Sequence, residues 1–504
     1  VSIEAGIQRV MKFLVHAQVD QGSIEKRLGS ADYSYYFLLR AFSNVLSDLG
    51  EVIPLSDPAQ ASDIYARCEE EGEPCVLLSF APPHKTPLGL ACPTVPVFAW
   101  EYPNIPERIQ EASWMHDPRN DWRYVFHRTG RAIALSTHTV DAVQKSMGSQ
   151  YPVVAIPSPM RARQRLTAGR RPPDLISTRT LRVHGRVVDS ACMGLSPEAL
   201  VNPADEDGTL FRSDDFRYLS SDPNDFPACR ITDGTKVYAH SAKSDEVLLE
   251  PGEQWPVDSG WDLPPLATTR LDLQGIIYTA VLTPEAGRKN WLDLLTAFCW
   301  TFRDMPEATL VLKMAGTDLS LYHRQLVMLL TKLSPMKCRV IAIHGYISDE
   351  DYQSLILATT YYVNTSLCEG LCLPLVEFLS AGIPAIAPNN TAMADYISDS
   401  IAFVVASYPG VPTVWPHGDL EINCTFTHQL DWQSLSSAYQ CSFAVACKEP
   451  QRYTDMSMRA HEAMYSYCGV ETVKRQLQRF LCPDITPHTV SDGETSSLAE
   501  TATS

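Results

Sequence analysis

The feature that most constrains this chain is an alternation of short apolar runs with amphipathic stretches, which fills the first 160 residues and restarts near residue 272. In the first series, residues 10–15, 51–55, 75–80, 95–101, 132–136 and 153–156 have strand character, and 33–49 and 59–71 have helical spacing. In the second, strand-like 276–282, 309–314, 339–344, 361–364 and 384–387 alternate with helix-like 291–302, 319–333, 349–358 and 375–381. Strands separated by helices pair in parallel through crossovers, which predicts two doubly wound α/β sheets. Such sheets bind ligands beyond the carboxyl ends of their strands, so the expectation is a cleft between two Rossmann-like domains.

The expected domains are 1–160, an irregular insertion at 161–270, a second sheet domain at 271–448, a helix at 449–482 returning to the first domain, and a disordered Ser/Thr-rich tail at 483–504. The insertion opens with an Arg-rich edge, Arg161 to Arg186, and then turns acidic. That edge is either a solvated linker or a docking element for an anionic surface such as a membrane. The Asp205-Glu206-Asp207 run reads as solvated.

Composition narrows the function. A net charge of −18 on 504 residues argues against coating nucleic acid, so no nucleic-acid partner is expected. No run of 18 apolar residues occurs, and the start, Val1-Ser2-Ile3-Glu4, carries no signal-peptide pattern. The 14 cysteines include no CxxC pair and read as ordinary thiols of a reducing compartment. A cytoplasmic protein is expected, either free or peripheral at the inner face of the membrane. Neither half has GxGxxG after its first strand, which weighs against a dinucleotide oxidoreductase.

The richest segment runs from Ser366 to Glu377. A buried strand enters a loop, and the loop opens a helix with Pro374 in its first turn, where a missing N–H costs nothing. The amides of Gly370, Leu371 and Cys372 would lie at the helix N-terminus, which attracts phosphate through free N–H groups and the helix dipole. Glu369 and Glu377 are eight residues apart and could grip two ends of an elongated ligand. The plain alternative for two glutamates at a helix start is dipole complementation.

Glu369 to Glu377 forms an E-x7-E motif followed by Gly382-Ile383-Pro384, and here the chain resembles the retaining family 4 glycosyltransferases of GT-B fold. Gly345-Tyr346-Ile347-Ser348 resembles the loop that meets the donor base. The segment from Pro388 to Ile397 resembles the one after the next strand. The similarity spans about 272–405 and is weaker over 8–160.

The resemblance implies that Glu369 contacts donor-sugar hydroxyls, Glu377 holds the ribose, and Gly370 to Cys372 cradle the diphosphate. The family places an Arg and a Lys several residues apart on the leaving diphosphate. Here Arg288 and Lys289 are adjacent, Lys289 is the better match, and Val281 stands at the other position. Glu101, after the strand 95–101, takes the region where some members carry a His, and is read as orienting or deprotonating the acceptor hydroxyl. His127 and His138 are lesser candidates, and the loop from Gln18 to Tyr36, with Gly22, Arg27, Gly29 and Tyr33, resembles the family's first-strand loop.

The implied activity is retaining transfer of a hexose-type sugar from a nucleotide diphosphate donor to a hydroxyl of a glycan or lipid-linked glycan. It needs no metal and no cofactor, and the setting expected is polysaccharide assembly. The alternatives are a non-catalytic nucleotide-sugar binder and a phosphorylase or epimerase on the same architecture.

Overall fold

A computed structural model of the chain describes residues 11–19, 22, 24, 32–108, 113–160, 177–193, 195, 263–264, 266–316, 319–415 and 423–482. The first domain runs β1 (Met11–Ala17), α1 (Tyr33–Leu46), β2 (Gly50–Pro54), α2 (Gln60–Glu71), β3 (Cys75–Phe80) and β4 (Thr94–Phe98). It continues through α3 (Trp122–Thr129), β5 (Ala132–Ala134), α4 (Thr137–Met147) and β6 (Val153–Ala155). Its sheet has the order β2-β1-β3-β4-β5-β6, and every pairing is parallel. Strand β3 (Cys-Val-Leu-Leu-Ser-Phe) is buried at every position, as a strand covered on both faces must be.

The second sheet begins with β7 (Thr178–Asp189) and β8 (Ala267–Gln274) and continues with β9 (Ile276–Leu282), α5 (Trp291–Thr301), β10 (Ala308–Met314), α6 (Leu319–Leu333) and β11 (Arg339–His344). Then come α7 (Asp349–Ala358), β12 (Tyr361–Val363), α8 (Leu373–Ser380), β13 (Ala385–Ala387) and β14 (Ala402–Val404). The order is β14-β13-β12-β9-β10-β11-β7-β8, with β9 to β14 mutually parallel. Helices α5 and α6 cover one face, with Trp291, Leu294 and Leu326 packed among Tyr278 and Leu310. Helices α7 and α8 cover the other, with Leu355, Leu375 and Val376 among Ile277 and Val311. The chain builds outward from β9 through β10 and β11, then returns to place β12 on the opposite side of β9. The gap between β9 and β12 is therefore the switch point, where neighbouring loops diverge and leave room for a ligand. Two doubly wound sheets, as expected, make up the molecule.

The stretch expected to be an irregular insertion is in part a sheet. β7 pairs antiparallel with β11 and with β8, and so extends the second domain. Along β7 the buried positions Leu181, Val183 and Gly185 alternate with exposed Arg182 and His184. The arginines obscured this period of two. Arg179 donates to the carbonyls of Ala358 and Gly275, and Arg186 to that of Pro264 at 2.6 Å. These two arginines fasten the strand and are not available as a docking edge. The positions 161–176 and the acidic run at 205–207 lie outside the described residues, as does 483–504.

Beyond β14 lie an antiparallel hairpin, β15 (Ser407–Thr413) and β16 (Thr425–Leu430), and three helices, α9 (Trp432–Lys448), α10 (Pro450–Cys468) and α11 (Val470–Leu481). Helix α11 buries Val473, Leu477 and Leu481, one stripe at a spacing of four. Lys474 of α11 meets Asp48 at 3.2 Å and Arg131 donates to the carbonyl of Phe480, so α11 lies against the first domain. Among the described residues no helix is long and apolar enough to cross a membrane.

Candidate functional site at the switch point

The loops after β9 and β12 are sewn together across the switch point. The amide of Leu367 donates to the carbonyl of Arg288 at 2.7 Å, and the Thr365 hydroxyl donates to the carbonyls of Lys289 and Asn290. Arg288 and Lys289 lie in a single tight turn (Gly287–Lys289), and α5 starts only at Trp291. Lys289 thus precedes the helix rather than opening it, and its ammonium is free to turn toward β12.

That turn brings it to Glu369. The carboxylate of Glu369, 4% exposed, is ion-paired with Lys289 through one oxygen and with Arg288 through the other at 2.9 Å. The Ser366 hydroxyl donates to the Lys289-side oxygen at 2.6 Å. Burial alone would raise the Glu369 pKa, but Lys289 and Arg288 outweigh it and hold it at about 2. The carboxylate is therefore ionised throughout the neutral range.

Arg288 also reaches the first domain, where its Nε lies 2.8 Å from Glu101 Oε1. Burial disfavours its charge, yet Glu101 and Glu369 together keep its pKa well above the ordinary value. Strand β4 ends at Phe98, three residues short of Glu101, so Glu101 sits in the loop beyond a carboxyl strand end, facing the switch point. In this arrangement Glu101 is the counter-ion of Arg288. Beside it, His138 contacts the carbonyl of Glu101 at 3.1 Å, while His127 is exposed on α3 and takes no part.

Three non-glycine residues with positive φ occur among the described residues, Asn290 (49°), Cys372 (65°) and Thr391 (48°). All three border Glu369. Asn290 follows Lys289, Cys372 is the N-cap of α8, and the Thr391 hydroxyl accepts from the Glu369 amide at 2.9 Å. Such conformations cost of order 1–3 kcal/mol each and concentrate where geometry has a use beyond stability.

Helix α8 begins at Leu373 with Pro374 in its first turn. Gly370, Leu371 and Cys372 precede it and are buried. A β-carbon on Gly370 would lie 2.7 Å from the amide nitrogen of Trp100 and 2.8 Å from the β-carbon of Ala99. Glycine is required here by the close approach of the two domains. A small crevice opens beside this turn, with Val281, Leu282, Lys289, Tyr362, Asn364 and Cys372 in its wall. Burial pushes the thiols of Cys368 and Cys372 up to about 12, so neither is a thiolate at neutral pH.

Glu377 lies one helical run further along α8, and its carboxylate accepts from Tyr352 of α7 at 2.8 Å. Tyr33, at the start of α1 in the first domain, has a raised pKa, through burial first and then through the nearness of Tyr346 and Glu377. Gly345 (φ 99°) and Tyr346 turn the chain out of β11 at the same edge. Glu369 and Glu377 thus bracket one strand edge, the first facing Arg288 and Glu101, the second facing Tyr352 and Tyr33. Gln18, Val19, Gly22 and Ile24 apart, the loop before Asp32, including Arg27 and Gly29, lies outside the described residues.

Several partners carry no sequence signal. Ser366 is an ordinary loop serine until it is seen on Glu369. Asp395, from the segment after β13, caps α4 of the first domain, accepting from the Thr137 amide at 2.9 Å and from its hydroxyl. Asn104 is tied to the β16 hairpin through the Cys424 carbonyl at 3.1 Å and the Thr425 hydroxyl at 2.5 Å. Among the described residues no group of three or more His, Cys, Asp or Glu is placed to hold a metal ion.

No family model matches the chain. Among curated proteins, a stretch of 56 residues, 11% of the chain, is 36% identical to the O-antigen chain mannosyltransferase B of Escherichia coli, and spans 15% of that relative's length. Among solved structures, a sucrose-phosphate synthase of Thermosynechococcus elongatus is similar with a TM-score of 0.49 and 12% identity, over 94% of this chain and 98% of that one. HepE of Anabaena, solved with UDP, is similar with a TM-score of 0.46 and 11% identity, over 94% of this chain and 99% of that one.

Proposed function

We propose that the chain is a GT-B glycosyltransferase of the retaining kind, which moves a hexose-type sugar from a nucleotide diphosphate donor to a hydroxyl of a glycan or lipid-linked glycan. The observation that carries this reading is the buried Glu369 carboxylate held by two cations at the switch point, with the other domain's Glu101 on the same guanidinium. A carboxylate kept ionised by fixed cations accepts well from vicinal hydroxyls, and the same cations suit a diphosphate. The short stretch of mannosyltransferase likeness agrees with sugar transfer and leaves the donor sugar open.

In this reading the donor's diphosphate enters between Lys289, Arg288 and the amides of Gly370 to Cys372, and Glu377 takes the ribose near Tyr346. The cations exchange part of their contact with Glu369 for phosphate oxygens, and Glu369 turns to the sugar. Breaking the anomeric bond leaves charge on the departing diphosphate while the sugar becomes oxocarbenium-like. Preorganised donors at that position are each worth about 3–4 kcal/mol. Arg288 and Lys289 supply charge of the kind that a metal ion supplies in other transferases. Glu101 orients the acceptor hydroxyl, and the tight seat of Gly370 against Trp100 excludes water that would hydrolyse the donor. Work at the inner face of a membrane, in polysaccharide assembly, fits a lipid-linked acceptor.

The test is release of nucleoside diphosphate from a panel of uridine, guanosine and adenosine diphosphate sugars, with the anomeric configuration of any product read by NMR. Release from one donor with retained configuration supports the proposal. An inverted product removes the retaining assignment. Turnover only with inorganic phosphate would make the protein a phosphorylase, and binding without turnover a sensor.

A further inference from the structure

Strand β10 carries a lysine inside an otherwise apolar run, Ala308-Thr-Leu-Val-Leu-Lys313-Met314. Lys313 is 5% exposed. Among the described residues nothing pairs with its ammonium, and burial alone acts on its protonation, drawing its pKa down to about 8. A charge buried without a partner is costly, and a fold does not retain that cost for packing, since Met or Leu fills the same volume.

Its position is specific. Lys313 is the next-to-last residue of β10, and its neighbours in register are Val281 on β9 and Ile343 on β11. Val281, Val311 and Ile343 belong to the sheet face covered by α7 and α8, so Lys313 stands on that face too. Val281 lines the pocket beside Lys289, and Gly345, which leads to Tyr346, donates its amide to the carbonyl of Met314 at 3.0 Å. The titratable groups at this end of that face are Tyr362 of β12, Tyr352 of α7, Glu377 of α8, Tyr346, and Glu285, whose carboxylate lies over Gly316. None of them forms an ion pair with Lys313.

We infer that Lys313 is a further donor-site residue, a buried ammonium at the carboxyl end of β10 held unpaired for a phosphate of the bound nucleoside diphosphate. This rests on the function proposed above. The anion then arrives from the cleft and completes a pair for which the protein supplies only the cation.

The test is calorimetry of UDP, GDP and ADP, and of uridine, guanosine and adenosine, on the full chain at pH 8.5 in two buffers of different ionisation enthalpy. With Lys313 near half-titration, the diphosphate that binds is expected to draw in roughly half a proton or more, and its nucleoside none. Lys313→Met is expected to abolish the uptake and weaken the diphosphate about tenfold. The same variant is expected to melt at a higher temperature, because an unpaired buried charge is gone. A merely structural lysine would lower both stability and affinity. Diphosphate binding without proton uptake in the wild type, uptake that survives in the variant, or a variant that fails to fold each overturns the inference. Binding of none of the three diphosphates fails the proposed function instead.

Discussion

Arg288 and Glu101 belong to different domains, and their side chains meet at 2.8 Å with Glu369 on the far side of the same guanidinium. One cation thus joins the loop after β4 of the first domain to the buried carboxylate of the second. If Glu101 serves the acceptor, Glu101→Gln should reduce transfer about tenfold or more while donor hydrolysis and nucleotide affinity stay within about twofold. Parallel rates of transfer and hydrolysis in the presence and absence of acceptor check this. A matching fall in hydrolysis would assign Glu101 to the donor.

Gly370 touches Trp100 more closely than any side chain permits. Gly370→Ala should therefore part the domains or strain the turn, at a cost of about 1–3 kcal/mol, seen as a lower melting temperature and a larger radius of gyration in solution. Ala99→Gly added to it should restore little, because the Trp100 backbone nitrogen is still in the way. Full recovery in the double variant would show that side-chain crowding alone was responsible.

If the proposed function holds, Lys289→Ala should lower turnover more than donor affinity, because its charge would count most where a leaving diphosphate gains charge. Steady-state and binding measurements on one preparation separate the two effects. Equal losses in both would make Lys289 a ground-state contact.

Acid stability reports on the buried charges. Glu369 has its pKa lowered from 4.5 to about 2, so its ion pairs stabilise the fold fully above pH 4.5 and are lost as pH falls toward 2, on the order of 3 kcal/mol in all. His344, neutral and buried, is held down at about 4, through burial first and then His323 and Arg186. The unfolded chain takes up that proton first, so stability already falls between pH 6.5 and 4. Urea unfolding against pH should show both windows. Glu369→Gln should remove the lower and His344→Leu the upper, and a wild-type curve flat from pH 7 to 4 would contradict the second.

The alternation of apolar runs made both sheets legible, because buried parallel strands and amphipathic helices differ in period. Strands 75–80, 276–282 and 339–344 and helices 319–333 and 349–358 fall where that period places them. Strand order was not legible, since periodicity does not say which neighbour a strand chooses. β7 was hidden because Arg179, Arg182 and Arg186 break up its apolar positions, and the β15 hairpin because Pro409 and Pro412 interrupt it. At the site, the E-x7-E spacing singled out both glutamates, and Pro374 in the first turn of α8 marked the helix start that lies between them. The Arg288–Glu101 pair joins positions 187 residues apart, and the seat of Gly370 against Trp100 depends on how two domains meet. Neither leaves a trace in local pattern. Lys313 reads as one polar residue in a core strand until its missing partner is seen.

The central claim is that the turn from Glu369 to Glu377 holds a nucleoside diphosphate. Calorimetric titration of UDP, GDP and ADP into the wild type and into Glu377→Ala tests it most directly. One diphosphate should bind the wild type, and the variant should bind it at least about tenfold more weakly, as expected when a carboxylate loses its hold on a ribose. Equal affinity in the two proteins, or no binding to either, would contradict the account.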